Sequence, residues 1–317
     1  MKEDILVGFV GMTHLGLVSA TALAAKGFSV VCCDQSDGLI RQLQNGRLPI
    51  VEPNLKETII ANGERQSFTC NFSDLNAADI VYLAPDVPTD ENGDSDLSSI
   101  KVLIDAVLPV LGPRSLLVVL CQVPPGHTRT IPLETSRLYY QVETLVFGIA
   151  MDRALHPESY SIGCARPDQD LPPALGQVLN AGKCPVLKMS YESAELAKIS
   201  INMCLVSSIS VANTMAELCE RLGADWHEIV PALRLDRRIG KYSYLSPGLG
   251  VAGGNLERDM ATVLRLGSQK ETDTKVVKAW IENSRYRKRW VVRAVKALGL
   301  GESQLAVWGL AYKANTN

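Results

Sequence analysis

The sequence lacks a basic excess. Its 317 residues carry 32 Lys and Arg against 34 Asp and Glu, a formal net charge of −2. Binding nucleic acid as a main partner requires a cationic surplus to displace phosphate counterions, so that class is excluded. One local basic run, Arg285, Arg287, Lys288 and Arg289, is expected to form a solvated helix face. The eight cysteines contain no C-x-x-C spacing and no histidine is grouped with them. No metal site is expected, and the thiols read as reduced, small hydrophobes of a cytosolic protein. No apolar h-region precedes the first strand, and no apolar run reaches the ~18 residues of a membrane span. Together these absences predict a cytoplasmic protein with a small-molecule partner, no nucleic acid and no membrane.

The length suits two domains, or one large domain with an appendage. Residues 5–10 are a short apolar run, followed by Gly11-Met12-Thr13-His14-Leu15-Gly16 and a helix-like stretch through Lys26. Gly27 closes that helix, and residues 29–34 form a second buried strand ending in Cys33-Asp34. Strand, glycine turn, helix and acid-tipped strand make the opening unit of a dinucleotide-binding fold. The turn and the helix N-terminus would hold a pyrophosphate, and Asp34 the ribose 2′-hydroxyl, which favours NAD over NADP. Thr13 stands where the fingerprint has its second glycine, the residue that admits backbone to the pyrophosphate. Two readings follow: NAD binds despite Thr13, or the fold persists with the cofactor weakened or lost.

Alternation continues. Residues 79–84 form a strand leading into the polar loop 88–94, whose acidic residues are expected to be solvated. Residues 115–120 form another, followed by the loop Gln122-Val123-Pro124-Pro125-Gly126. Ligands of open parallel sheets bind outside the carboxyl ends of the strands, so these loops are natural site walls. Residues 138–145 read as a further strand with Glu143 embedded in apolar neighbours, a carboxylate that needs a partner or a raised pKa. His156 reads as structural, and residues 183–189 close the first domain.

Residues 191–222 read as one long helix ended by Gly223. It is apolar on more than one face, which predicts a dimer interface as well as a core. Lys198 and Asn202 are four apart and share a face. A helical region continues to about residue 297, and residues 304–310 read as a new strand that needs further chain to pair with. The stretch Gly250-Val251-Ala252-Gly253-Gly254-Asn255-Leu256-Glu257-Arg258-Asp259 is a glycine-rich turn leading into a helix that is expected to start at Asp259. It is either a plain connection or a place where backbone approaches a ligand.

These motifs in this order resemble the UDP-glucose/GDP-mannose dehydrogenase family. The resemblance rests on residues 11–16, Asp34, Glu52-Pro53, Val123 to Gly126, Ala194-Glu195-Leu196-Ala197-Lys198 with Asn202, Asp236 to Gly240, residues 250–259, and Gly309-Leu310-Ala311-Tyr312-Lys313. It implies an α/β fold: a Rossmann-like, doubly wound parallel sheet over residues 1–190, then a central helical dimerisation region over 191–297. Residues 298–317 would be the first strand of a further Rossmann-like domain, of a protein either truncated there or represented by a fragment. A homodimer through the 191–222 helix is implied, as is a nucleotide-sugar substrate.

Such enzymes oxidise an alcohol to a carboxylate with two hydride transfers to NAD, through a cysteine-bound thioester. By position, Glu143 matches the glutamate of hydrolysis, Lys198 and Asn202 the pair that stabilises charge on the substrate oxygen, and Asp259 the aspartate that organises water. Arg238 matches the arginine that reaches a neighbouring subunit's substrate, and Gly250, Gly253 and Gly254 line the substrate turn. Gly11, Thr13, His14, Leu15, Gly16, Asp34, Thr89, Gln122 and Arg258 fall on the cofactor side. The chain departs from the pattern at Arg258, Gln122, Thr13 and the residues around Glu143. The decisive departure is Asn255, at the cysteine position, which cannot form the covalent adduct. The expectation is a single alcohol-to-carbonyl hydride transfer, with Lys198, Asn202 and Asn255 polarising the reacting oxygen. The alternatives are an inactive homologue serving as a nucleotide-binding, regulatory or structural subunit, and an enzyme that uses NAD transiently.

Overall fold

The computed structural model describes residues 5–88, 90, 94–252, 254–299 and 304–306. Thr89, Gly253 and most of the strand expected at 304–310 lie outside them; residues 304–306 are neither helix nor strand. The described chain forms two compact units, one of residues 5–88 and 95–198, the other of residues 90, 94 and those from 199 to 306.

The first unit is built on eight strands: β1 (Leu6–Val10), β2 (Ser29–Cys33), β3 (Gln66–Thr69), β4 (Ile80–Leu83), β5 (Leu116–Val119), β6 (Leu138–Gln141), β7 (Tyr160–Gly163) and β8 (Val186–Met189). Their order in the sheet is β3-β2-β1-β4-β5-β6-β7-β8, so the chain reverses direction across the sheet between β1 and β4. Between the strands run α1 (His14–Ala25), α2 (Asp37–Gln44), α3 (Leu55–Ala61), α4 (Ser98–Val107), α5 (Ala150–Leu155) and α6 (Pro173–Asn180). β4 and β5 are buried along their whole length. That is what continuous runs such as Ile80-Val81-Tyr82-Leu83 require of strands covered on both faces. Two clusters fill those faces, one around Phe9, Leu17 and Val118, the other around Val10, Leu83 and Tyr140.

The expected parallel sheet has one local exception, and one strand boundary is corrected. The sheet is parallel except between β6 and β7, which pair antiparallel through Tyr140–Gly163 and Gln141–Ile162. The connection between them, residues 142–159, holds a single short helix, α5. The expected strand over 138–145 also stops at Gln141. Beyond it Glu143 folds back so that its own carboxylate accepts the Leu145 N–H, which takes both residues out of any ladder.

The second unit is helical. α7 (Tyr191–Leu222) begins within the first unit, and the division falls after Lys198. α8 (Trp226–Leu235), α9 (Gly254–Gln269), α10 (Lys275–Lys288) and α11 (Trp290–Ala297) follow. α7 ends at Gly223, whose φ of +71° is the left-handed conformation a helix stop favours in glycine. Ala212, Ala216, Cys219, Trp226 and Leu245 form one small core, and the Trp226 indole donates to Leu245 O at 2.8 Å. Val206, Val251, Met260 and Val277 form another.

The basic run is not one solvated face. α10 turns Arg287 inward, where it is buried, pairs with Glu217 at 2.9 Å and donates to Gly248 O. α7 is long and apolar enough, by length and composition alone, to cross a bilayer: it has 32 residues and an 18-residue window of mean hydropathy 1.4. Its polar side chains argue for a core helix instead. Glu195, Asn202 and Asn213 are buried and each engages a protein partner.

Candidate active site

The turn after β1 is shaped by two glycines that tolerate no side chain. Gly11 sits at φ +93°, and a Cβ there would come 2.9 Å from Pro85 N. A Cβ on Gly16 would lie 2.0 Å from Gly11 O, inside the backbone of the turn. Thr13 obeys a different logic. Its φ of −75° and ψ of −177° are open to any residue, so a glycine is not required for conformation. The Thr13 hydroxyl donates to Ala84 O at 2.9 Å and accepts from Gly16 N at 3.4 Å, capping α1. With Gly16 N capped and Leu17 N bonded to Thr13 O, the His14 and Leu15 N–H groups have no acceptor within the helix. Those two donors, at the positive end of α1, suit a diphosphate.

Asp34 stands one residue beyond β2, half-buried. One carboxylate oxygen accepts from Met12 N at 2.7 Å and the other from Ser36 N at 2.9 Å. Each oxygen keeps a lone pair for a ribose hydroxyl. Gly11, Thr13, His14, Leu15, Gly16 and Asp34 are thus gathered at the carboxyl ends of β1 and β2, beside the point where strand order reverses. They fit a dinucleotide, and Thr13 does not obstruct the fit by strain. Gln122 is half-buried beyond the end of β5.

Sequence reasoning missed three carboxylates in this unit. Asp86 follows β4 at the same end of the sheet; burial raises its pKa and His14 opposes the rise. Glu52, quoted only as part of a motif, has a fully buried side chain that accepts from His14 Nε2 at 2.9 Å and from Gly148 N and Ala150 N at 3.0 and 2.8 Å. Glu195 accepts from Gly126 N and Thr128 N at 2.5 and 2.8 Å, fastening the loop after β5 to α7 one turn before Lys198. Glu195, like Glu52, was quoted only as part of a motif, and its other sequence signal was an acid among apolar helix neighbours.

Glu143 and Lys198 meet in the first unit. Lys198 Nζ lies 3.6 Å from Glu143 Oε2, and both side chains are mostly buried. Burial raises the Glu143 pKa, and the Lys198 charge only partly pulls it back. A raised carboxyl pKa means the ionised form is the costly one in the fold. Glu143→Gln is therefore expected to raise the melting temperature at pH 8, where the carboxyl is ionised in the unfolded chain and the fold penalises that charge. The advantage should vanish as pH falls below the ordinary carboxylate range, where wild-type Glu143 is neutral in folded and unfolded chains alike. Thermal scans from pH 4 to 8 check the sign; a variant less stable than wild type at pH 8 contradicts it.

The second unit holds the remaining candidates. Gly250, at φ +93°, would drive a Cβ to 2.7 Å from Ser284 O, and Val251 N donates to Ser284 Oγ at 2.9 Å. Gly250 is thus committed to packing on α10. α9 starts at Gly254, five residues before the expected Asp259, with Glu257 in its first turn, where an acid favours a helix start. Asn255 is therefore an exposed residue of the first helical turn, one turn from Asp259 on the same face. Asp259 is fully buried. It accepts from Asn202 Nδ2 at 2.5 Å and pairs with Arg258 Nε at 3.0 Å. Asn202, Arg258 and Asp259 form one cluster. Arg238 stands apart, exposed and folded onto Asp236 at 2.6 Å.

No cysteine lies in α9. Cys32 and Cys33 are buried, and burial pushes their pKa values up to about 12, so neither is a poised thiolate.

The profile of the UDP-glucose/GDP-mannose dehydrogenase family NAD binding domain matches residues 5–172, and that of the family's central domain matches residues 192–285. The UDP-glucose 6-dehydrogenase TuaD of Bacillus subtilis (strain 168) is 31% identical over 325 residues, covering 98% of this chain and 70% of that protein. The UDP-glucose 6-dehydrogenase of Rickettsia typhi is 28% identical, covering 98% of this chain and 74% of that protein. The structure of a UDP-glucose dehydrogenase from Pyrobaculum islandicum superposes with a TM-score of 0.83 at 28% identity, covering 94% of this chain and 72% of that one. NAD is accordingly the cofactor of the first unit. With its dinucleotide turn and both domain profiles matched, the chain belongs to the UDP-glucose/GDP-mannose dehydrogenase family.

Proposed function

We propose that this chain catalyses one reversible alcohol-to-carbonyl conversion on a nucleotide sugar or a related alcohol, and does not proceed to the acid. The reading rests on Asn255, exposed on the first turn of α9, which we match by its motif to the family's cysteine. Its amide nitrogen is conjugated with its carbonyl, so it can donate hydrogen bonds but cannot add to an aldehyde. The rest of the constellation remains. NAD, when bound, supplies the hydride acceptor. Lys198 carries the charge that favours the substrate alkoxide, and Asn202 donates from the same face of α7 one turn on. Glu143 has no thioester to hydrolyse, which leaves it to exchange a proton beside Lys198. Gln122 and the turn at Thr13 stay on the cofactor side, and Arg258 with Asp259 supports Asn202.

The test is a panel of UDP- and GDP-sugars incubated with the protein and NAD. NADH should appear together with a carbonyl product. One observation favours a second reading, an inactive nucleotide-binding or regulatory subunit: Arg258 and Asn202 both occupy the carboxylate of Asp259, the group matched to catalytic water. NADH binding together with no reduction of NAD by any member of the panel would select it.

A homodimer through α7 belongs to the same proposal. Ile201, Cys204, Ser208, Val211, Met215, Leu218 and Leu222 follow one another at alternating spacings of three and four. Val211, Leu218 and Leu222 are 54, 45 and 73% exposed. That is a coiled-coil seam about 30 Å long without a described partner. Val211→Asp with Met215→Asp is expected to yield a folded monomer by light scattering, where wild type is a dimer. A variant that stays dimeric rejects the seam.

A further inference from the structure

The buried carboxylate of Glu52 joins two segments that are far apart in sequence. One is the first residue of α1, His14, whose Nε2 lies 2.9 Å from Glu52 Oε2. The other is the loop after β6, whose Gly148 and Ala150 N–H groups donate to the two Glu52 oxygens. The His14 ring also stacks on Phe147 of that loop, with centroids 4.2 Å apart and planes 30° from parallel. The same loop begins with Glu143, the partner of Lys198. A carboxylate with no exposed surface is stable only while its donors stay in place, so each of the three contacts constrains the other two.

We propose that Glu52 and His14 are positioning residues: they clamp the loop bearing Glu143 to the first turn of α1, so that cofactor diphosphate on that turn orders residues 142–150. The reading rests on NAD as the cofactor and on Glu143 as a working group of the site. His14 contributes to both sides. Its backbone N–H is one of the two donors at the helix start with no acceptor within the helix, and its ring reaches Glu52 and Phe147. A diphosphate that draws in the His14 N–H fixes the residue whose ring carries the clamp. Glu52 in turn holds the imidazole in one orientation, as carboxylates behind functional histidines do.

The experiment is hydrogen exchange of the wild-type chain with and without saturating NADH, read at peptides covering residues 142–150, with calorimetry in parallel. NADH should slow exchange there by about threefold or more. His14→Phe keeps the backbone donor and the stack on Phe147 but removes the bond to Glu52. It should bind NADH within about fivefold of wild type, roughly 1 kcal/mol, and show no NADH-dependent protection of 142–150. Glu52→Gln, which preserves volume and weakens the three bonds, should behave the same way. A purely structural role would raise exchange equally with and without NADH. Equal protection in His14→Phe and wild type overturns the proposal, as does a wild-type loop that NADH leaves unchanged. Absence of NADH binding by calorimetry overturns it too, through failure of the cofactor site, and is distinguishable from the other two results.

Discussion

Gly16→Ala is expected to abolish NADH binding and to destabilise the first unit by about 3 kcal/mol or more. The added methyl would sit 2.0 Å from Gly11 O, and that oxygen belongs to a turn fixed by Gly11 N bonding to Cys33 O. Relief requires α1 to slide away from β1, which moves the His14 and Leu15 N–H groups off the diphosphate position. Thr13→Ala is the informative control. It deletes a side-chain cap, worth about 1 kcal/mol, and leaves backbone and donors where they are, so NADH binding should survive. Melting temperature and NADH calorimetry on both variants check the pair of outcomes. If Gly16→Ala binds as wild type does, the turn does not have the shape described.

Asp259→Ala is expected to cost the second unit roughly 2–4 kcal/mol and to lower kcat/KM by at least ~100-fold. The fully buried carboxylate is shared by the Asn202 amide at 2.5 Å and the Arg258 guanidinium at 3.0 Å. Its removal takes the carboxylate away from a mostly buried cation and a buried amide, which is more damaging than losing the whole group together. Asp259→Asn keeps an acceptor for Asn202 and loses only the charge opposite Arg258, so its stability should fall between the two. Urea unfolding gives the first quantity and initial rates with the best sugar substrate the second. A fully active Asp259→Ala would remove Asp259 and Asn202 from the site.

What was legible in the sequence follows from where the partners lie. The strand-turn-helix-strand opening could be read because Gly11, Gly16 and Asp34 act within one local unit, and helical spacing alone put Lys198 and Asn202 on one face. Glu52 and Glu195 could not be read that way. The partners of Glu52 lie 38, 96 and 98 residues away, and those of Glu195 lie 69 and 67 residues away. Nothing in their own neighbourhoods announces such contacts. The strands β3 and β7, Gln-Ser-Phe-Thr and Tyr-Ser-Ile-Gly, are too short and too polar to signal themselves. The apolar run through Glu143 hid the end of β6, because pairing stops where the neighbouring strand stops, not where hydrophobicity does. Glycine misled at 250–254: a run that reads as turn is a turn only as far as Ala252, and Gly254 already opens α9. The basic run misled for a related reason, since composition cannot say that one of its four cations, Arg287, faces Glu217.

The central claim, that the chemistry halts after one hydride transfer because Asn255 replaces the nucleophile, is tested most directly by stoichiometry. NADH formed would be counted against sugar consumed, with the oxidised carbon of the product followed by carbon-13 NMR. The account predicts one NADH per sugar and a carbonyl or its hydrate at that carbon. Two NADH per sugar with a carboxylate product would contradict it.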